Sequence, residues 1–208
     1  MKKSIGVMAS ILAVFTVLCI GSVAFADALA DIKAKGVLVA GVKDAVVPFG
    51  YVDEQSKQIV GFDVDICKEI ASRIGVNLKL KPVTSATRIP MIPECRVNIA
   101  ACTMTKKVAR DDVIEFSITY FMDGQKLLVK KGSGIKSYKD LAGKKVSTAK
   151  GSTSEINMRN IQPKCTVLSF EGYPEAFLAL KQGKVAAETT DSVILIGIKG
   201  SDENPDKR

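Results

Sequence analysis

Apolar and polar positions along the chain alternate between strand-like and helix-like spacing. The run VLVAGV, Val37–Val42, is short and continuously apolar and predicts a strand. From Asp63 onward Ile66, Ile70 and Ile74 recur every four residues before Gly75, so a helix is expected there. Residues 78–83 return to strand spacing. Ser85 opens a second, shorter helix around Ile89 to Ile92, residues 97–102 form another apolar strand, and Arg110 falls in the loop-to-helix segment that follows.

A second series begins after Tyr120 and Phe121. It comprises a strand at 126–129, the Gly-rich loop KKGSGIK, and a short helix capped by Ser137 and Asp140 that stops at Gly143. Residues 146–149 then lead as a strand into Ser152-Thr153-Ser154-Glu155, an S-x-x-E capping box that opens a helix. Strand Thr166–Phe170, a helix at 174–182 stopped by Gly183, a strand at 185–189 and a helix from Ser192 complete the alternation. The βαβα order predicts mainly parallel sheets with helices on their faces, in two small α/β lobes joined near residues 115–121. Ligands of such sheets bind beyond the carboxyl ends of the strands.

The first 26 residues stand apart. Lys2 and Lys3 precede a charge-free run that ends in Ala24-Phe25-Ala26, which fits a cleaved secretory signal; an uncleaved apolar anchor is the other reading. Without that segment 28 Lys+Arg face 22 Asp+Glu, a formal net charge of +6. A positive surface attracts anions, although a merely solvated basic face has the same composition. No basic run is interleaved with aromatics and tryptophan is absent, which argues against nucleic acid as a partner.

Histidine is absent, which removes Ser-His-Asp and Cys-His nucleophilic sites, His-containing zinc sites and the usual general base. Cys67, Cys95, Cys102 and Cys165 contain no C-x-x-C pair, so neither zinc nor a thioredoxin-like site is indicated. In an oxidising compartment they allow up to two disulfides, but Cys67 lies at helical spacing among the isoleucines and reads as core. No metal or cofactor is expected.

The stretch TSATRIPMIPECRVNIAACTMTKKVARDDVIEFSITYF, from Thr84, places Arg88, Thr103, Thr105 and Arg110 around short apolar runs. It suggests a pocket for a small carboxylate, since a guanidinium fork pairs with that group in two-pronged geometry.

That block, together with VVPFGYVDEQSKQIVGFDVDI, GQKLLVKKGSGIKSYKDLAGKKV, KGSTSE and EAFLALKQGKVAAETTDSVIL, resembles the polar amino-acid branch of the bacterial solute-binding proteins that serve ABC importers. The resemblance implies a periplasmic-binding-protein-like α/β fold: a signal peptide at 1–26, lobe 1 at 27–118 and lobe 2 at 119–208, joined by a hinge. It implies a monomeric, non-enzymatic periplasmic protein that closes on a free amino acid and delivers it to a membrane permease. Arg110 and Thr105 then match the groups on the ligand's α-carboxylate, with Thr103 contributing backbone. Ser152 and Thr153, at a helix start, meet the same group from the other lobe, and Asp191 pairs with the α-ammonium.

Lys43, Ser85 and Arg88 resemble the glutamate/aspartate-binding pattern, so an acidic ligand is expected, with an amide as the alternative. Pro93 and Cys95 depart from the pattern, and Pro93 is expected to end the short helix that carries Arg88 early. The resemblance also implies a longer chain, so a C-terminally truncated one is expected where this sequence stops in GSDENPDKR; a degenerate copy without transport function, or a sensory or interaction module, is the alternative function.

Overall fold

A computed structural model describes residues 27–202; the expected signal peptide and the polar end beyond Asp202 lie outside the described residues. The elements follow in chain order: α1 Ala28–Lys35, β1 Val37–Val42, β2 Ala45–Val46, β3 Gly50–Val52, β4 Ile59–Val60, α2 Phe62–Ile74, β5 Asn77–Pro82, β6 Ile99–Ala100, α3 Val108–Asp111 and β7 Gln125–Val129. A 3₁₀ turn at Tyr138–Leu141 precedes β8 Lys145–Ala149, α4 Thr153–Ile161, β9 Thr166–Phe170, α5 Tyr173–Lys181, β10 Ala187–Asp191 and α6 Ser192–Gly200.

One sheet has the order β5-β1-β6, with both pairings parallel. A second has the order β7-β10-β8-β9, parallel except for β7, which runs antiparallel to β10. This is the expected α/β architecture of the periplasmic binding proteins. A small antiparallel sheet, β2-β3-β4, was not foreseen, because its strands are two or three residues long and show no readable alternation.

The periodic segment of α2 does what its spacing predicts. Val64, Cys67 and Ala71 are buried, and Gly75 closes the helix at φ 80 with its N–H on the Ala71 and Ser72 carbonyls. Those residues pack against β1 through Leu38, Ala40 and Val42, all fully buried. At roughly 25 cal/mol per Å² removed from water, such side chains each contribute about 1.5–3 kcal/mol. The expected Ser137–Asp140 capping box is complete on the 3₁₀ turn.

Two expectations fail between 84 and 102. No helix forms around Ile89 to Ile92; residues 86–95 are a run of turns stitched by bonds such as Arg88 N–H to Thr84 O and Ile92 N–H to Ile89 O. Pro90 and Pro93 each lack an N–H donor, which prevents a continuous ladder. The strand expected over 97–102 shrinks to β6. Asn98 grips β1 at Val39 from both sides, its N–H donating to the Val39 carbonyl and its side-chain Oδ1 accepting the Val39 N–H, each at 2.8 Å, and Thr103 leaves the strand at φ 54. All four cysteines in the described residues are free thiols.

Candidate functional site

A cleft of about 810 Å³ opens between the two larger sheets, lined among others by Asp63, Thr103, Thr105, Gln125, Thr153 and Asp191. Four of the nine residues expected from the sequence therefore face it directly. Three of the others adjoin these: Ser152 precedes Thr153, Arg110 donates to the Thr105 carbonyl at 2.7 Å and Arg88 donates to the Thr103 carbonyl at 3.0 Å; Lys43 and Ser85 pair with each other, Lys43 donating to Ser85 Oγ at 3.0 Å.

Arg88 is nearly completely buried. Its Nη1 also donates to the Cys102 carbonyl at 2.8 Å, while its Nε is buried without a partner among the described residues. Lys43 is buried beside it, and burial, followed by the Arg88 charge, lowers the Lys43 ammonium to about 8. Arg110 is held below its usual range by desolvation and again by Arg88.

The acid that anchors this region is Asp63, fully buried in the first turn of α2. Its Oδ2 accepts the Thr103 N–H at 2.9 Å and its Oδ1 accepts the Tyr120 hydroxyl at 3.0 Å. Burial nevertheless pushes its carboxyl up against those donors and the nearby cations. The bonds hold Thr103 in left-handed backbone geometry, which turns its carbonyl to Arg88. Sequence reasoning read Asp63 only as a helix start. The available signal was an acid between apolar Phe62 and Val64 with no basic residue within a helical turn upstream.

On the opposite wall, Ser152 caps α4 by accepting the Glu155 N–H at 3.1 Å. The reciprocal half of the predicted box goes elsewhere: Glu155 Oε2 takes the Gly151 N–H rather than that of Ser152. Thr153 Oγ1 is buried and unpartnered among the described residues, at the helix end where backbone N–H groups are left over.

Asp191 occupies the N-cap position of α6 without capping it. Asp123 does that instead, accepting the Val193 N–H at 2.7 Å and the Ser192 hydroxyl. Asp191 is thereby left for the cleft, its carboxyl raised by burial and by Asp123.

The two walls meet at two glycines. A Cβ on Gly151 would lie 2.8 Å from Ala86 Cα, and one on Gly197 would lie 2.2 Å from the Val47 carbonyl oxygen. Gly151 thus closes over the backbone beside Lys43, Ser85 and Arg88. No cluster of acids and cysteines able to hold a metal occurs among the described residues.

Residues 38–194 match the bacterial extracellular solute-binding proteins, family 3. A glutamine-binding protein of Geobacillus stearothermophilus is 45% identical over 182 residues, which are 86% of this chain and 70% of that protein. The glutamate/aspartate import solute-binding protein of Salmonella typhimurium is 31% identical over 197 residues, 89% of this chain and 65% of that protein. Among solved structures, holo ArgBP from T. maritima superposes with a TM-score of 0.80 at 37% identity, over 85% of this chain and 77% of that one. Relatives with these names are amino-acid-binding components of importers, and with the match spanning both large sheets, the chain belongs to the bacterial extracellular solute-binding proteins, family 3.

Proposed function

We propose that this protein is the amino-acid-binding component of an ABC importer, exported through a cleaved signal at 1–26, and that its preferred ligand is an acidic amino acid. Its two lobes, 27–118 and 119–208, close on that ligand and present it to a membrane permease. The observation that supports an acidic ligand is the charge imbalance beside the cleft. Lys43 and Arg88 are both buried, and the one carboxylate buried with them, Asp63, is engaged by Thr103 and Tyr120. Buried cations are rare unless paired, because desolvation outweighs what carbonyl and hydroxyl acceptors return. A side-chain carboxylate from the ligand supplies the missing anion.

The remaining roles follow from chemistry. Arg110, Thr105 and the Thr103 backbone receive the α-carboxylate, which the start of α4 at Ser152 and Thr153 meets from the other wall. Asp191 receives the α-ammonium. Separation of the walls at Gly151 uncovers Lys43, Ser85 and Arg88, and closure seals the ligand side chain against them.

A neutral amide is the second reading. It draws on the glutamine-binding relative and on the depressed Lys43, which in its neutral form can accept an N–H. Isothermal titration with glutamate, aspartate, glutamine, asparagine and arginine separates the readings. Strongest binding of glutamate or aspartate is expected, tightest binding of glutamine favours the second reading, and silence toward all five removes both.

A further inference from the structure

The positive charge of this protein is segregated at one end of the second sheet. Because β8, β9 and β10 run parallel and β7 opposes them, the register places the start of the first three beside the end of β7. Lys130 and Lys131 follow β7, and Lys136 and Lys139 lie in the loop and 3₁₀ turn that return to β8. Lys144 and Lys145 enter β8, Lys164 precedes β9 and Lys184 precedes β10. All eight are exposed, and none forms an ion pair among the described residues.

Against these eight lysines the same loops carry one acid, Asp140, whose Oδ2 accepts the Lys136 and Ser137 N–H groups. This pole therefore holds +7, and outside residues 1–26 the rest of the chain carries 20 Lys+Arg against 21 Asp+Glu. The neighbouring Lys181–Asp202 pair is neutral. Helix-dipole complementation favours cations at helix C-termini, but Lys130, Lys131, Lys136, Lys144 and Lys145 occupy none.

We propose that this lysine pole is a docking surface for an anionic lipid membrane. The loops are tied together, Gly143 N–H to the Lys164 carbonyl and Ala186 N–H to the Lys145 carbonyl, so the charges are displayed on a shared rigid base. They spread over three chain connections rather than converging on one point, which suits a diffuse layer of phosphate headgroups better than a single phosphate. Tyr138 stands exposed among them, a side chain that favours the interfacial zone of a bilayer. The cleft lies at the other end of the same strands, about 15 Å away for five residues of strand. Docking by the pole leaves the cleft open to solvent, a retention mode distinct from delivery to a permease. Family membership places the protein outside the cell, where a membrane face is at hand.

Co-sedimentation of the full chain with phosphatidylcholine vesicles, with and without phosphatidylglycerol, tests this. The difference between the two vesicle types isolates the electrostatic part, since apolar segments partition into both. Added binding to the anionic vesicles is expected at low salt, falling on the order of tenfold by about 0.5 M salt as the charges are screened. Lys136→Gln, Lys139→Gln, Lys144→Gln and Lys164→Gln together should abolish that increment, whereas the same change at the exposed Lys33, Lys35, Lys57 and Lys79 should leave most of it. Equal loss in the two variants, no increment in the native chain, or competition by soluble RNA at phosphate concentrations below that of the lipid would each overturn the proposal. Amino-acid titration of the pole variant keeps this outcome apart from the ligand-binding reading, because none of the four lysines belongs to the cleft.

Discussion

Asp63 joins three separate parts of the chain at one buried carboxylate, and its removal should be felt in each. In Asp63→Ala the Thr103 N–H and the Tyr120 hydroxyl lose their acceptor in a part-buried setting, at about 1 kcal/mol each. Tyr120→Phe removes one of the two bonds and should cost about 1 kcal/mol by chemical denaturation while leaving Arg88 in place. If both variants lower stability equally and amino-acid affinity is unchanged in Asp63→Ala, the carboxylate does not position the binding wall.

Lys43 gives a pH signature at the same scale. Its ammonium titrates near 8 in the free protein, below its ordinary value of 10.5. A ligand carboxylate beside it favours the charged form, so glutamate binding above pH 8 should take up a proton and weaken, by up to about tenfold per pH unit. Lys43→Met should flatten that profile. A neutral amide draws no such dependence from this residue, which makes the slope itself diagnostic.

Among the elements, β10 carries an anomaly that no sequence pattern announced. Glu188 is fully buried in the central region of the second sheet, with neither carboxylate oxygen partnered among the described residues, and desolvation alone raises it to about 8. Lys126, Lys145, Glu175, Lys181 and Lys199, on the elements packed around it, are all exposed. The folded protein thus holds a proton that the unfolded chain releases above its ordinary value of 4.5. This contribution to stability is full below pH 4.5 and is lost as pH rises to about 8, a change of a few kcal/mol. Glu188→Gln should raise the thermal midpoint at pH 8 by several degrees and remove that part of the pH slope. An unchanged slope would mean the carboxylate is already ionised or solvated.

Helix α6 supplies a steric counterpart. Gly197→Ala forces a Cβ into the Val47 carbonyl and should destabilise by about 1–3 kcal/mol, whereas Gly200→Ala, with open space around it, should be neutral or slightly stabilising. Thermal melts of the two variants compare them directly.

Elements that make their own pattern were legible: β1 and α2 bury what their spacing says they bury. The segment 84–102 was not, because Pro90 and Pro93 break backbone bonding while distant groups decide the rest. Asn98 completes a ladder through its side chain, and Asp63, forty residues from Thr103, sets the turn that ends the strand. The resemblance assigns Asp191 to the site, but its release from the helix cap rests likewise on Asp123, a long-range exchange with no local trace.

At the scale of the whole molecule, α/β order and family were readable from several motifs in sequence, while the wall-to-wall fit at Gly151 and Gly197 emerged only in three dimensions. The central claim is that a surplus of buried positive charge beside the cleft selects an acidic amino acid. Calorimetric titration of native protein and Arg88→Met with glutamate and with glutamine, at one pH below 8, tests it most directly. Native protein should bind glutamate the more tightly, and Arg88→Met should lose on the order of a hundredfold for glutamate and far less for glutamine, as expected for a charge-assisted contact in a closed site. Tighter binding of glutamine by native protein, or an equal loss for both ligands, would contradict it.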